Sequence, residues 1–407
     1  MKKILIVSQA MEIGGAEKAL LGLLNSFDYT NYQVDLFLCR QAGELFNYIP
    51  SNVNILPENQ AKYLAIPMKI LIKEKQFKML YGRLKAKLLA KNIVKKKNLK
   101  SDNQVGLTYS HLYTYQYIDY INEDIEYDLA ISFLTPHYIC LHKCNAKNKI
   151  AWIHTDYSTI DIDVETEKEM WDGFDKIASI SKQCTESFLS KFPELAHKII
   201  RIDNIITKEM ILKQSMILKQ SDVNVSKEMN RDTDEIILCS VGRFSTAKNF
   251  DNVPSICKKI LDYGVNVKWY LIGYGPDESL IKEKIKENKM EEHVFILGKK
   301  TNPYPYIKAC DFYIQPSRYE GKAVTVREAQ ILCKPVIITR FPTSDSQLTD
   351  GYDGIIVDMD NDGCARGIVE FIKNKNLQEK IIQNLESNDY SNSNEIEKLY
   401  RLVERNL

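Results

Sequence analysis

The sequence predicts an α/β protein built from two doubly wound, Rossmann-like domains with a cleft between them. Two runs of short apolar strands alternate with helical patterns, which is the signature of parallel sheets covered by helices. The 407 residues are enough for two or three separate cores. A polar stretch, 207–234, separates the two runs. It carries a local duplication, Ile211-Leu-Lys-Gln-Ser215 and Ile217-Leu-Lys-Gln-Ser221. Two copies of five residues are too short for a solenoid, so the stretch reads as a linker or surface insertion.

In the first domain, 1–206, the expected strands are Lys3–Ser8, Gln33–Cys39, Asn52–Leu56, Asp128–Leu134, Lys149–His154, Lys176–Ser181 and Ile199–Asp203. A basic helical insertion occupies about 58–126. In the second domain, 235–390, they are Glu235–Val241, Val267–Gly273, Val294–Gly298, Phe312–Gln315, Pro335–Thr339 and Gly354–Val357. The tail, 391–407, places Ile396, Leu399, Leu402 and Val403 at helical spacing. It reads as a final helix able to cross back to the first domain.

Apolar content of 44% and charged content of 27% suit a globular protein and exclude a disordered chain. The net charge of +1 hides an asymmetry. Residues 69–100 hold twelve Lys or Arg and one acid, Glu74, so this window carries +11 and the rest of the chain −10. Apolar residues interleave with those cations. The window reads as a helix lying on an anionic membrane surface, with a solvated basic face as the alternative. Nucleic acid comes last, because the aromatic platform of single-strand binders is missing. The apolar run Ile4–Val7 is too brief for a signal peptide, and no window approaches a membrane span. Nine scattered cysteines point to a reducing, cytoplasmic compartment. Cys140-Leu-His142-Lys-Cys144 matches no common zinc spacing and reads as structural.

The richest stretch is Arg318-Tyr-Glu-Gly-Lys-Ala-Val-Thr-Val-Arg-Glu-Ala329. Glu320 falls on a strand-to-helix loop, and Glu328 falls inside the helix. Seven residues lie between them. N–H groups at the helix start, near Gly321, Lys322 and Ala323, suit a phosphate, and the carboxylates suit sugar and ribose hydroxyls. Val241-Gly-Arg-Phe-Ser-Thr-Ala-Lys-Asn249 sends Arg243 and Lys248 from the carboxyl edge of a strand, where two cations can grip a pyrophosphate. An ordinary basic loop would look the same. Gly273-Tyr-Gly275 follows another strand, and Lys299 follows Val294–Gly298. Glu12-Ile-Gly14-Gly15-Ala-Glu-Lys18 leads into a helix with Ala19, Leu20, Leu23 and Leu24 on one face. It lacks the third glycine of the dinucleotide fingerprint. His154 ends a strand, where it is either a structural histidine or a site residue.

Taken in order, these segments resemble the retaining GT-B glycosyltransferases of the "glycosyl transferases group 1" family. The resemblance implies a GT-B fold and transfer of a sugar from a nucleotide diphosphate sugar, such as a UDP-sugar. The acceptor would be a glycan or lipid-linked glycan in cell-surface polysaccharide or capsule synthesis. Configuration would be retained, with the leaving phosphate acting as base. It assigns catalytic roles to Glu320, Arg243, Lys248 and His154. It assigns donor binding to Gly14, Gly15, Gly273, Gly275, Lys299, Gly321, Lys322, Ala323 and Glu328. The chain departs from the family at Lys322-Ala323, where Phe-Gly is frequent. Asp161-Ile-Asp163, Asp232-Thr-Asp234 and Asp358-Met-Asp360 read as loop carboxylates, so no metal and no other cofactor is expected. An epimerase or phosphorylase on the same scaffold, or a silent binding protein, remains the alternative.

Overall fold

The computed structural model describes residues 1–99, 103–216, 225–230, 234–320 and 323–404. They divide into two compact units: Met1–Ile205 with Asn392–Leu407, and Ile206–Ser391.

Among the described residues, unit 1 holds seven strands: β1 (Lys2–Ser8), β2 (Tyr32–Leu38), β3 (Asn54–Ile55), β4 (Glu126–Ser132), β5 (Asn145–Ile153), β6 (Lys176–Ser179) and β7 (Ile199–Arg201). Their order is β3-β2-β1-β4-β5-β6-β7, and every pair is parallel. Helices cover both faces, so β1 runs as continuous buried apolar residues, Ile4 to Val7, rather than alternating. Helix α1 (Gly15–Ser26) follows β1. At Gly22 it lies so close to the chain that a Cβ would sit 1.9 Å from the Ile205 carbonyl oxygen. The basic insertion folds as α2 (Met68–Lys73), α3 (Phe77–Lys97) and α4 (Asn103–Thr114). Small residues Gly82, Ala86 and Ala90 let α3 press against its neighbour, and a Cβ on Gly82 would meet the Tyr113 carbonyl at 2.6 Å. The rest of the unit carries α5 (His137–His142), α6 (Val164–Asp172) and α7 (Lys182–Leu189). The C-terminal helix, Ile396–Glu404, buries Ile396, Leu399, Leu402 and Val403 in this unit. Tyr400 stacks on Tyr32 with ring centroids 4.2 Å apart, and its hydroxyl accepts from the Asp28 N–H.

Unit 2 begins with α8 (Lys208–Ser215) and α9 (Val225–Glu228). Its sheet contains β8 (Ile236–Val241), β9 (Val267–Ile272), β10 (Val294–Gly298), β11 (Phe312–Gln315), β12 (Val336–Thr339) and β13 (Ile355–Val357). The order is β10-β9-β8-β11-β12-β13, again parallel. Helices α10 (Val253–Asp262), α11 (Glu278–Asn288), α12 (Tyr304–Ala309), α13 (Val324–Ile331), α14 (Asn361–Lys373) and α15 (Lys375–Ser387) complete it. Strand β8 is the switch point: the chain runs outward through β9 and β10, then returns to β11 on the other side. Ligands bind doubly wound sheets at the carboxyl ends of such strands.

One expectation is modified. Much of the polar stretch 207–234 is built into unit 2 rather than strung beside it. Met210 and Ile211 are buried, Asn302 Nδ2 donates to the Gln214 carbonyl at 2.8 Å, and Tyr306 donates to Glu228 at 2.7 Å. Two apolar residues among lysines and glutamines are too weak a pattern to reveal such a helix. The second copy of the duplication, 217–221, lies outside the described residues except that its counterpart, 211–215, forms part of α8.

Candidate active site

The loops after β8 and β11 meet at the switch point. Lys248 and Glu320, 72 residues apart in sequence, form an ion pair with Nζ 2.5 Å from Oε1. Their side chains are 19% and 10% exposed, so the pair is largely screened from water. Glu320 Oε1 also accepts from Ser317 Oγ at 2.6 Å and from Gln315 Nε2 at 3.3 Å. Gln315 is itself fixed, since Tyr313 and Thr325 donate to its Oε1 at 2.8 and 3.1 Å. The carboxylate is therefore preorganised by a chain of buried hydrogen bonds that reaches back into β11. Arg243 leaves the same β8 edge and is exposed, with no ion pair to any described residue.

Two residues that the sequence does not reveal as site residues hold these loops together. Arg318 makes a bidentate pair with Asp251, at 2.9 and 2.7 Å, and donates to the Thr246 carbonyl at 2.7 Å. Asn249, in a left-handed conformation with φ of 60°, donates to the Pro316 carbonyl at 2.8 Å. Partners nearly 70 residues apart leave no local pattern to read. The glycines after β9 are demanded by close approach. A Cβ on Gly273 would sit 1.9 Å from the Gly242 carbonyl oxygen, and one on Gly275 would sit 2.2 Å from that of Phe244. They bring the β9 loop against the loop that carries Arg243. Lys299 is exposed beyond β10, its Nζ 5.3 Å from the centre of the Tyr274 ring.

Glu328 lies on α13 and is buried. Tyr304 donates to its Oε1 at 2.8 Å, while Oε2 is buried without a hydrogen-bond partner. A buried carboxylate oxygen is costly unless a donor reaches it. A ligand hydroxyl is the chemistry that would satisfy it. The Ala323 N–H is engaged by Gln347 Oε1 at 2.8 Å. Gly321 and Lys322 lie outside the described residues.

The remaining predicted residues belong to unit 1. His154 follows β5 and packs against Phe133, with ring centroids 4.5 Å apart. Its ring nitrogens are buried without a well-formed hydrogen bond to any described residue. Burial pushes its pKa down to about 4 against a small opposing contribution from the Phe133 backbone, so the imidazole is neutral near pH 7. It lines a cavity of about 100 Å³ with His111, His137, Trp152 and Glu167. Gly14 caps α1 in an extended conformation. A Cβ there would meet only the Glu17 carboxylate tip, and one on Gly15 would meet nothing within 4 Å. The fold itself demands neither glycine.

Two of the aspartates weighed as metal ligands have structural work. Asp163 pairs with Lys97 and accepts from Tyr109 at 2.7 Å, and Asp360 caps α14 through the Gly363 N–H at 2.8 Å. Asp232 lies outside the described residues. His142 stacks on Tyr115 at 4.6 Å, and Cys144 donates to the Cys140 carbonyl.

The model of the family described as "Glycosyl transferases group 1" matches residues 223–387, which is most of unit 2. Over those residues, about two fifths of the chain, unit 2 is similar to the glycosyl transferases group 1 family. An uncharacterized glycosyltransferase of Methanocaldococcus jannaschii is 30% identical over 147 residues, 35% of this chain and 40% of that protein. The N-acetylgalactosamine-N,N'-diacetylbacillosaminyl-diphospho-undecaprenol 4-alpha-N-acetylgalactosaminyltransferase of Campylobacter jejuni is 27% identical over 147 residues, covering 36% and 39%. The chain thus matches less than half the length of these relatives. Solved structures extend the likeness of fold to the whole chain. Staphylococcus aureus TarM, crystallised with UDP, alpha-GlcNAc-glycerol and Fondaparinux, superposes with a TM-score of 0.64 at 15% identity, covering 100% of both chains. Anabaena HepE, in complex with UDP and glucose, gives 0.57 at 16% identity over 99% of this chain and 98% of its own. The fold is GT-B, two Rossmann-like units each with its own parallel sheet. Within the matched residues, the ion pair joins the loops after β8 and β11, and the buried glutamate lies on the helix that follows β11.

Proposed function

We propose that this chain is a retaining glycosyltransferase. It moves a sugar from a nucleoside diphosphate sugar to a glycan or lipid-linked glycan in polysaccharide synthesis, on the cytoplasmic side of a membrane. The observation that carries the reading is the buried Glu328 carboxylate with one unsatisfied oxygen, on the helix that follows the loop carrying Glu320 of the Lys248–Glu320 pair. Glu328 would take a ribose hydroxyl. Arg243 and Lys248 would hold the diphosphate and stabilise the charge it gains as it leaves. Glu320, held by Ser317 and Gln315, keeps Lys248 aligned before the donor arrives and faces the sugar afterwards. His154, neutral at physiological pH, can bond a sugar hydroxyl but cannot supply charge. Among the described residues, the site carboxylates Glu320 and Glu328 are held by hydrogen-bond donors, so neither is assigned as nucleophile and the acceptor would attack from the face the diphosphate leaves. The leaving phosphate takes the proton. In the supporting comparisons, the HepE complex holds UDP and glucose, and the Campylobacter relative is named for transfer onto a diphospho-undecaprenol-linked sugar. All nine cysteines are free thiols, which suits a reducing compartment. A thermal-shift screen of UDP-, GDP- and ADP-sugars tests the proposal, followed by proton NMR of the product anomer. Stabilisation by one donor and an unchanged anomer support it. No stabilisation by any donor, or an inverted anomer, refutes it.

A further inference from the structure

Helix α3 is apolar on two opposite sides. One side, Met79, Gly82, Ala86 and Ala90, is buried against the unit. On the other, Phe77, Tyr81, Leu84 and Leu88 are 62%, 62%, 46% and 67% exposed. At about 100° per residue these four fall within an arc of roughly 60°, opposite the buried stripe. Exposed lysines flank them: Lys78, Lys85 and Lys96 on one side, Lys87 and Lys91 on the other, with Lys95 continuing the stripe itself. A solvated helix needs no such outward apolar row, and four large apolar side chains in one line are an unusual thing to leave facing water. Among the described residues, no helix is long and apolar enough to cross a membrane.

We propose that this outer face of α3 is a membrane-docking surface whose partner is an anionic lipid bilayer. The apolar row enters the headgroup–acyl boundary and the flanking lysines pair with lipid phosphates. Charge complementarity selects this occupant over a second copy of the chain, because two α3 faces would bring like charges together. Ile72, near the end of α2, is a further exposed apolar residue of the insertion, at 56%. The proposal deepens the lipid-linked acceptor reading, and its test needs no turnover, so either can fail alone.

The test is cosedimentation of the full chain with vesicles of phosphatidylcholine alone or mixed with phosphatidylglycerol. Two variants accompany the wild type. One reverses Lys78, Lys87, Lys91 and Lys95 to Glu; it spares Lys85, which lies over the Tyr113 ring, and Lys97, which pairs with Asp163. The other is Leu84→Ser with Leu88→Ser. All six sites are exposed, so both variants should keep the wild-type circular dichroism. The wild type is expected to pellet with the anionic vesicles at low salt, and to be released near 1 M salt, where the Debye length is about 3 Å. Charge reversal should weaken binding by roughly a hundredfold or more, and the serine variant should weaken it even at low salt. Wild type that stays in the supernatant would overturn the proposal, as would equal binding by all three proteins. So would self-association abolished by the serine variant without vesicle binding, or retention on single-stranded nucleic acid alone.

Discussion

The Lys248–Glu320 pair can be tested with a double-mutant cycle. Lys248→Ala leaves a carboxylate that is 10% exposed, with only Ser317 and Gln315 still donating to it. Removing one member of a sealed ion pair costs about 3–5 kcal/mol. The surviving donors and the residual exposure reduce this to about 1.5–3 kcal/mol. Glu320→Gln costs less, about 1 kcal/mol, because the long Lys248 side chain can turn toward water. Combining the two removes the stranded charge, so the double variant should be more stable than the sum of the singles by about 1–2 kcal/mol. Urea denaturation, with hydrogen exchange followed in peptides from β8 and β11, isolates the effect in unit 2. Function should not recover with stability. Transfer by Lys248→Ala and by the double variant should both fall by roughly two to three orders of magnitude. Glu320→Gln, which frees Lys248, should bind the nucleoside diphosphate at least as tightly as wild type while transferring slowly. Strictly additive stabilities, or a Lys248→Ala rate within twofold of wild type, would refute the reasoning.

Further outcomes follow from the same geometry. Arg318→Ala should slow transfer at least about tenfold by loosening both site loops, and Arg318→Lys should not restore it, since a single ammonium cannot reproduce the bidentate bond to Asp251; steady-state kinetics of the two variants decides. Arg243→Ala should lower the transfer rate by roughly two to three orders of magnitude while leaving the unfolding midpoint unchanged, because its side chain is exposed. Activity should survive a chelator, with the cationic side chains carrying the charge; abolition rescued by magnesium or manganese would contradict this. Burial pushes His111 and His137 down to about 3 and His154 to about 4. The folded unit therefore binds fewer protons than the unfolded chain. The stability they contribute is complete above pH 6.5 and is lost as the pH falls from 6.5 toward 4, at about 1.4 kcal/mol per pH unit for each histidine. Buried Glu167, whose pKa is raised by desolvation, works in the opposite sense. Thermal midpoints between pH 7 and 4.5 should fall for wild type and fall less for His137→Asn; a flat profile would contradict the assignment.

Most of the fold was legible because its strands are continuous apolar runs. Ile4–Val7, Ile236–Val241 and Phe312–Gln315 are each too short for a helix and too apolar for a loop, and all thirteen expected strands are present within a few residues of their expected ends. The α8 and α9 helices were not legible, because polar residues mask the few buried positions, Met210, Ile211 and Ser215 in α8 and Val225 in α9. In the site, Lys248 and Glu320 were readable as separate motif residues, but their direct contact was not, since nothing local joins residues 72 apart. The Arg318–Asp251 clasp was invisible for the same reason, since it exists only once β8 and β11 lie side by side, whereas Ser317, Gln315 and Tyr304 act through the local fold of the loop and helices around β11, which no motif announces. The cationic window was plain in the sequence, whereas its outward apolar row needed the structure. Only burial separates Leu84 and Leu88 from Ala86 and Ala90.

The most direct test is calorimetric titration of wild type and Glu328→Gln with UDP, GDP and ADP. The account predicts saturable binding of one nucleoside diphosphate by wild type. It predicts that Glu328→Gln, which removes the charge that accepts the ribose hydroxyl, weakens this by about 1.5–3 kcal/mol, roughly ten- to hundredfold. Binding of none of the three by wild type, or equal affinity in the variant, would contradict it.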